Sequence, residues 1–205
     1  MFGNFSPRRM QSMSEVDDVG LLERARRGDT EAFSRLFALH QRAIFRYGSH
    51  MCGPDAGDDI VQETFLAVLG RAGRYDATRG SVIAYLFGIA RHLVLKRLAA
   101  RYETAFDEEP DGSGLNAGVA SGQTDALDEL TRAETIESVR AAVQSLPPVY
   151  REVVVLCEFQ EMDYTAAAGI LQCPIGTVRS RLHRARTLLA TKLAATHPIA
   201  AMRRI

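Results

Sequence analysis

The stretch that most restricts what this chain can become lies near its C-terminal end. Residues 174–189 read Pro-Ile-Gly-Thr-Val-Arg-Ser-Arg-Leu-His-Arg-Ala-Arg-Thr-Leu-Leu. At about 100° per residue, Val178, Leu182, Ala185 and Leu189 fall on one narrow stripe. Ser180, His183, Arg184 and Thr187 fall on the opposite side, flanked by Arg179 and Arg181. This predicts a helix with an apolar keel and a basic, hydrogen-bonding outer face. Such a helix fits the major groove of B-DNA, where Arg and Ser donate to base edges and phosphates. Residues 163–170, Asp-Tyr-Thr-Ala-Ala-Ala-Gly-Ile, form a short helical pattern, and Leu171-Gln172-Cys173-Pro174 breaks it. Proline suits the start of the next helix, where its missing N–H would have no partner anyway. Short helix, tight turn and basic second helix make a helix-turn-helix layout. An Arg-rich helix alone would suit the surface of any helical bundle. The turn, the preceding helix and the separation of faces together favour DNA.

Charge supports this only once it is mapped. The 205 residues carry 25 basic and 25 acidic side chains, a net charge of zero. Residues 71–101 hold seven basic residues against one acid, Asp76, and residues 147–205 hold eight against four. Residues 107–137 hold nine acids against Arg132 alone, and residues 15–63 hold ten acids against six bases. Fields act locally within a Debye length of about 8–10 Å, so two basic modules and an acidic connector matter more than the sum. There is no run of about 18 apolar residues, so no membrane insertion is expected. The three cysteines, Cys52, Cys157 and Cys173, have no paired spacing, which argues against a zinc site or a disulfide framework. The reducing cytoplasm is the expected setting. The five histidines are scattered and no catalytic constellation emerges, so no metal, no cofactor and no enzymatic role are expected.

Taken in order, residues 1–17 read as a loose tail. Helical patterns run from Asp18 and again from Ala32, the second ending near Tyr47-Gly48, with Cys52-Gly53-Pro54 as a loop. A third helix spans 58–69, with Val61, Phe65 and Val68 as its buried stripe. Asp59, Gln62, Glu63 and Leu66 share another side of it. On this stretch alone a solvated face and a docking face for a basic partner both fit. Residues 71–81 form a basic loop, and Ser81 can cap the helix that follows, apolar nearly all round from Val82 to Leu95. Basic groups interleaved with Tyr75, Tyr85 and Tyr102 can track a phosphate backbone and stack unpaired bases. Residues 104–125 read as a flexible acidic linker. Helical periodicity resumes near Ala126, with Ile136, Val139, Val143 and Leu146 as its apolar stripe. Another helix spans 149–159, and the chain frays from about 195. The fold class is therefore all-α: domains over 18–103 and 126–195, with a linker over 104–125 and tails at 1–17 and 196–205.

Two separated segments resemble one family. Leu-Pro-Pro-Val-Tyr-Arg-Glu-Val-Val-Val-Leu (146–156), followed by Gly-Thr-Val-Arg-Ser-Arg-Leu-His-Arg-Ala-Arg (176–186), resembles region 4 of bacterial extracytoplasmic-function sigma factors. Asp-Asp-Ile-Val-Gln-Glu-Thr-Phe (58–65), then Tyr-Leu-Phe-Gly-Ile-Ala-Arg (85–91), resembles region 2. Residues 22–33 resemble the family's usual start, so the likeness covers about 19–193. It implies that Asp58, Asp59, Gln62 and Glu63 dock on the β′ clamp helices of core RNA polymerase. It implies that Arg74, Tyr75, Arg79, Ser81, Tyr85 and Arg91 open the −10 promoter element and capture an unpaired base. It implies that Arg179, Ser180, Arg181, His183 and Arg184 read the −35 element, that region 4 also touches the polymerase flap, and that an anti-sigma factor is a partner. The chain departs from the pattern at two places. Tyr85 stands where many members carry Trp, and Ala166-Ala167-Ala168 stands where the family often has Glu-Ile-Ala.

Two other readings fit less well. A stand-alone helix-turn-helix regulator would bind duplex without polymerase; the acidic 58–63 face and the basic first bundle argue against it. A sigma-like scaffold that sequesters an anti-sigma factor would not need the intact 179–184 face.

Overall fold

The structure, a computed structural model, describes residues 18–70, 75–107 and 126–196; every regular element among them is helical. Helix α1 covers 18–26. Helices α2 (Thr30–Cys52), α3 (Gly57–Gly70) and α4 (Val82–Asp107) complete the first domain. Helices α5 (Ala126–Gln144), α6 (Pro148–Val154), α7 (Tyr164–Leu171) and α8 (Ile175–Thr196) build the second. A π-helical segment, Val155–Phe159, continues α6.

Local chemistry sets most of these boundaries. Asp29 accepts the backbone N–H of Ala32 and caps α2. The α2 helix runs four residues past Gly48, where the sequence suggested a stop. Gly48 is instead a close-packing point: a Cβ there would sit 3.0 Å from the Cβ of Ile60 on α3. The helix ends at Gly53, whose φ of 101° is open to glycine at little cost. Ser81 Oγ accepts from Ala84 N at 3.4 Å at the start of α4. The α4 helix continues to Asp107, into the span read as linker, and residues 108–125 lie outside the described residues.

The first core gathers Leu22, Leu36, Ile44, Tyr47, Ile60, Phe65, Leu86 and Phe87, all nearly inaccessible. Phe37 and Phe65 pack with ring centroids 4.9 Å apart. Val61, Phe65 and Val68 form the expected stripe of α3, joined by Ile60 and Thr64. The second core gathers Leu146, Val153, Val155, Leu156, Ala167, Val178, Leu182 and Ala185. Ile136, expected on the apolar stripe of α5, is 46% exposed, whereas Ala142 and Val143, a turn and more further on, are buried.

The two domains touch directly. The α2 helix meets α5, α6 and the π segment, and α4 lies along α7. Arg151 donates to the Met51 carbonyl at 2.8 Å, Tyr47 donates to Glu152 at 2.8 Å, and the His50 ring packs 4.7 Å from that of Phe159. Nothing in the local sequence pattern announces this interface. Glu152 sits in a short helix beside a Pro-Pro break and is nonetheless 4% exposed.

Candidate nucleic-acid interface

The outer face of α8 is prepared by the turn before it. Asp163 Oδ1 accepts from both Thr165 N and Ala166 N at 2.8 Å, fixing the start of α7. Gln172 closes that helix in the left-handed conformation, φ 52° and ψ 46°, and its N–H returns to Ala168 and Gly169. The Pro174 carbonyl then accepts from Thr177 N at 2.8 Å, and α8 begins. Val178, Leu182 and Ala185 are buried beneath it, and Leu189 is half-buried. Arg179, Ser180, His183 and Arg184 are exposed, and Arg181 is half-buried at the edge of the same face. Arg186 is drawn away from that face. Its guanidinium holds Glu158 of the π segment, and this hydrogen bond raises its already high pKa.

The candidate −10 groups divide. Tyr75, Arg79, Ser81 and Tyr85 share the corner between the loop and the start of α4. Asp76 caps the short turn Ala77–Arg79 by accepting from Thr78 N and Oγ1, which holds its carboxyl below the usual range. Tyr75 donates to the Gly80 carbonyl at 3.1 Å, and its ring meets that of Tyr85 edge-on at 5.5 Å. Arg26, which the sequence reading passed over, completes the corner from α1. It donates to the Tyr85 hydroxyl at 3.1 Å and lies 5.6 Å from that ring's centroid. Arg74 lies outside the described residues. Arg91 does not join this corner: its Nε donates to Glu152 of the second domain at 2.9 Å.

The four candidate polymerase contacts are all exposed on α3. They split between two neighbours. Arg97 of α4 donates to Asp59 at 3.2 Å and to Glu63 at 2.8 Å, bracing both carboxylates. Asp58 and Gln62 instead border an open groove of about 410 Å³, with Phe37, Phe45, Arg42 and Val61. Leu66, one turn after Gln62 on α3, is also exposed. Arg97 was missed because it was counted with the basic end of its helix; only the fold brings it to α3.

Comparison with known proteins decides the family. The sigma-70 region 2 model matches residues 36–103, and the sigma-70, region 4 model matches residues 136–189. The ECF RNA polymerase sigma-E factors of Salmonella typhimurium LT2 and Escherichia coli K12 are each 30% identical over 191 residues, covering 88% of this chain and 97% of theirs. The chain belongs to the ECF sigma factors. A further relative, ECF sigma factor SigC of Mycobacterium tuberculosis, is 29% identical over 168 residues, 80% of this chain and 85% of that one. Among solved structures, CnrH in complex with the cytosolic domain of CnrY superposes with a TM-score of 0.63 at 26% identity, over 88% of this sigma factor and 99% of that chain. RpoE of Bartonella quintana, solved with the anti-sigma factor NepR, shares the fold, with a TM-score of 0.64 at 24% identity over 82% and 100%. In this sigma factor the α3 face and the 75–85 corner fall within the region 2 match, and the α8 face within the region 4 match. Among the described residues no helix is long and apolar enough to cross a membrane, and no three His, Cys, Asp or Glu cluster to hold a metal.

Proposed function

We propose that this sigma factor binds core RNA polymerase and directs it to promoters, with region 2 on the −10 element and region 4 on the −35 element. The observation that carries the reading is the α8 face: exposed Arg179, Ser180, His183 and Arg184 over buried Val178, Leu182 and Ala185, inside a region 4 match. A rigid helix with exposed guanidinium donors on one side is what groove reading needs. The 75–85 corner supplies basic and aromatic groups for unpaired bases, where stacking contributes about 1–3 kcal/mol per base. Asp58, Asp59, Gln62 and Glu63 offer an acidic, partly apolar face to a basic partner surface on the polymerase clamp. The flap contact of region 4 belongs to the same reading, with no residue assigned. The protein acts as an initiation factor in the cytoplasm, without chemistry of its own. A regulatory protein of the anti-sigma kind is the further expected partner; CnrH was solved in complex with the cytosolic domain of CnrY.

Transcription in vitro from a promoter pool, with purified core polymerase, tests this. Specific transcripts are expected only when both components are present. Tight binding to promoter duplex by the protein alone, with no transcript, would favour a stand-alone regulator instead.

A further inference from the structure

The acidic face of α3 is tied to its neighbour by one arginine. Arg97 of α4 donates from Nη1 and Nη2 to Asp59 Oδ2, both at 3.2 Å, and from Nη2 to Glu63 Oε1 at 2.8 Å. It crosses 38 and 34 positions to do so. Surface pairs such as Arg27–Glu23 and Arg35–Glu31 form instead within one helix, between residues one turn apart.

Asp59 and Glu63 also stand one turn apart, about 6 Å along the axis at about 1.5 Å per residue. Like charges at that spacing repel, so without a cation between them the two carboxylates would turn apart. The guanidinium takes one oxygen of each. Among the described residues, Asp59 Oδ1 and Glu63 Oε2 accept from nothing. An ionised carboxylate keeps acceptor sites on both oxygens, so each remains open to a second donor.

Fold stability is a poor reason for this bridge. The side chains are 30% exposed for Arg97, 61% for Asp59 and 47% for Glu63, and exposed ion pairs contribute little to folding. Binding is different. A long polar side chain loses rotamer freedom when a partner orders it, and one already held has less to lose.

We propose that Arg97 is a positioning residue for polymerase docking: it holds Asp59 and Glu63 so that Oδ1 and Oε2 form a ready pair of acceptors for an arginine of the core enzyme. The inference deepens the docking reading above and rests on it. Arginine is the partner group that fits, because its planar fork reaches two acceptors at once. The bridge also cancels one negative charge of the face, which weakens long-range attraction to a basic surface. Slow release, not fast capture, is what Arg97 contributes.

The test measures association and dissociation of the full chain on immobilised core RNA polymerase. Arg97→Met keeps an aliphatic stem and loses the fork. Asp59→Asn with Glu63→Gln keeps both shapes and loses both charges. Arg97→Met should dissociate about five- to tenfold faster than the wild type and associate no more slowly. Loss of folded chain would cut association and leave the dissociation of bound chain unchanged, so it cannot mimic this result. Added to Asp59→Asn with Glu63→Gln, Arg97→Met should change dissociation by less than about twofold. Slowed association or unchanged dissociation in Arg97→Met overturns the proposal. Slower dissociation overturns it as well, by making Arg97 a competitor of the partner. So does an equal acceleration with and without the two carboxylates, because Arg97 would then act by itself. Full core affinity in the chain carrying Asp59→Asn and Glu63→Gln would sink the docking reading for this face, and the proposal with it.

Discussion

The α8 face and the 75–85 corner are both surfaces suited to nucleic acid, yet they are built on opposite plans. On α8 the basic side chains project freely while everything beneath them is packed. At the corner almost every side chain is tied to another: Arg26 to Tyr85, Tyr85 to Tyr75, Tyr75 to the Gly80 carbonyl. The difference suits the two forms of DNA that the proposed function assigns to these surfaces. A duplex groove is a fixed shape, so a stiff helix with mobile tips can search it. An unstacked base is floppy, so the protein must supply the rigidity, and a braced aromatic corner does so.

Breaking the comparison at its foundation has the largest effect. Leu182→Ala should lower stability by about 2–5 kcal/mol, because the buried leucine leaves a cavity under α8. Urea unfolding followed by circular dichroism reads this, and a loss under 1 kcal/mol would mean the keel is not a core. Arg181→Ala on the same helix should leave stability unchanged and weaken discrimination of the −35 element by about 1–3 kcal/mol. Competition between matched and mutated duplexes in holoenzyme binding would show it, and unchanged preference would remove Arg181 from the reading face.

The corner should respond in another way. Arg26→Ala leaves the rings in place but removes their brace, so it should slow promoter opening several-fold while closed-complex affinity holds. Permanganate footprinting of unpaired thymines separates the two steps. An equal drop in both would make Arg26 a general folding residue and erase the contrast with α8.

How much of this was legible in the sequence follows the same division. The α8 keel and its outer face came straight from helical periodicity, because both lie on one element and need no partner. So did the stripe of α3 and the cap at Ser81. Arg26, Arg97 and the buried Glu152 were missed for a shared reason. Each acquires its role from residues 34 to 105 positions away, and no local spacing encodes that. Gly48 misled in the opposite direction: a glycine suggests a stop, and only the approach of Ile60 shows that it is a gap left for a neighbour.

A smaller test concerns pH. Burial lowers the pKa of His40, against the opposing pull of Asp18 at 3.0 Å. Burial, then Arg140 and Arg46, lowers that of His50, which packs on Phe159 between the domains. A histidine whose folded pKa lies below its unfolded value of about 6.5 binds fewer protons when folded, so its full contribution is present above that pH and is lost as pH falls below it. The thermal midpoint should therefore drop between pH 7 and pH 5.5, and His40→Gln should flatten that slope. A midpoint that rises on acidification would reverse the sign and the assignment. The smallest expected effect is a gain. Gln172→Gly should stabilise by about 1 kcal/mol, because glycine adopts the left-handed conformation there without a Cβ clash. Calorimetry would detect the rise in midpoint, and a fall would mean the glutamine side chain contributes more than its backbone costs.

The π-helical segment Val155–Phe159 sets a counting constraint on the whole second domain. Gln160 N–H reaches back to the Val155 carbonyl, five residues away, so the chain makes one turn here with an extra residue in it. That surplus residue is what lets Glu158 meet Arg186 on α8 while Phe159 and Gln160 meet the first domain. Removing one residue from this turn would restore ordinary helical pitch and swing all that follows by about 100°. Glu158 would then lose α8, and the first domain would lose its two contacts, in a single step. A deletion scan across 150–165 should therefore find this turn intolerant of even one missing residue. The segment works as a spacer ring between two gears: its thickness, more than its side chains, decides whether the teeth on either side mesh.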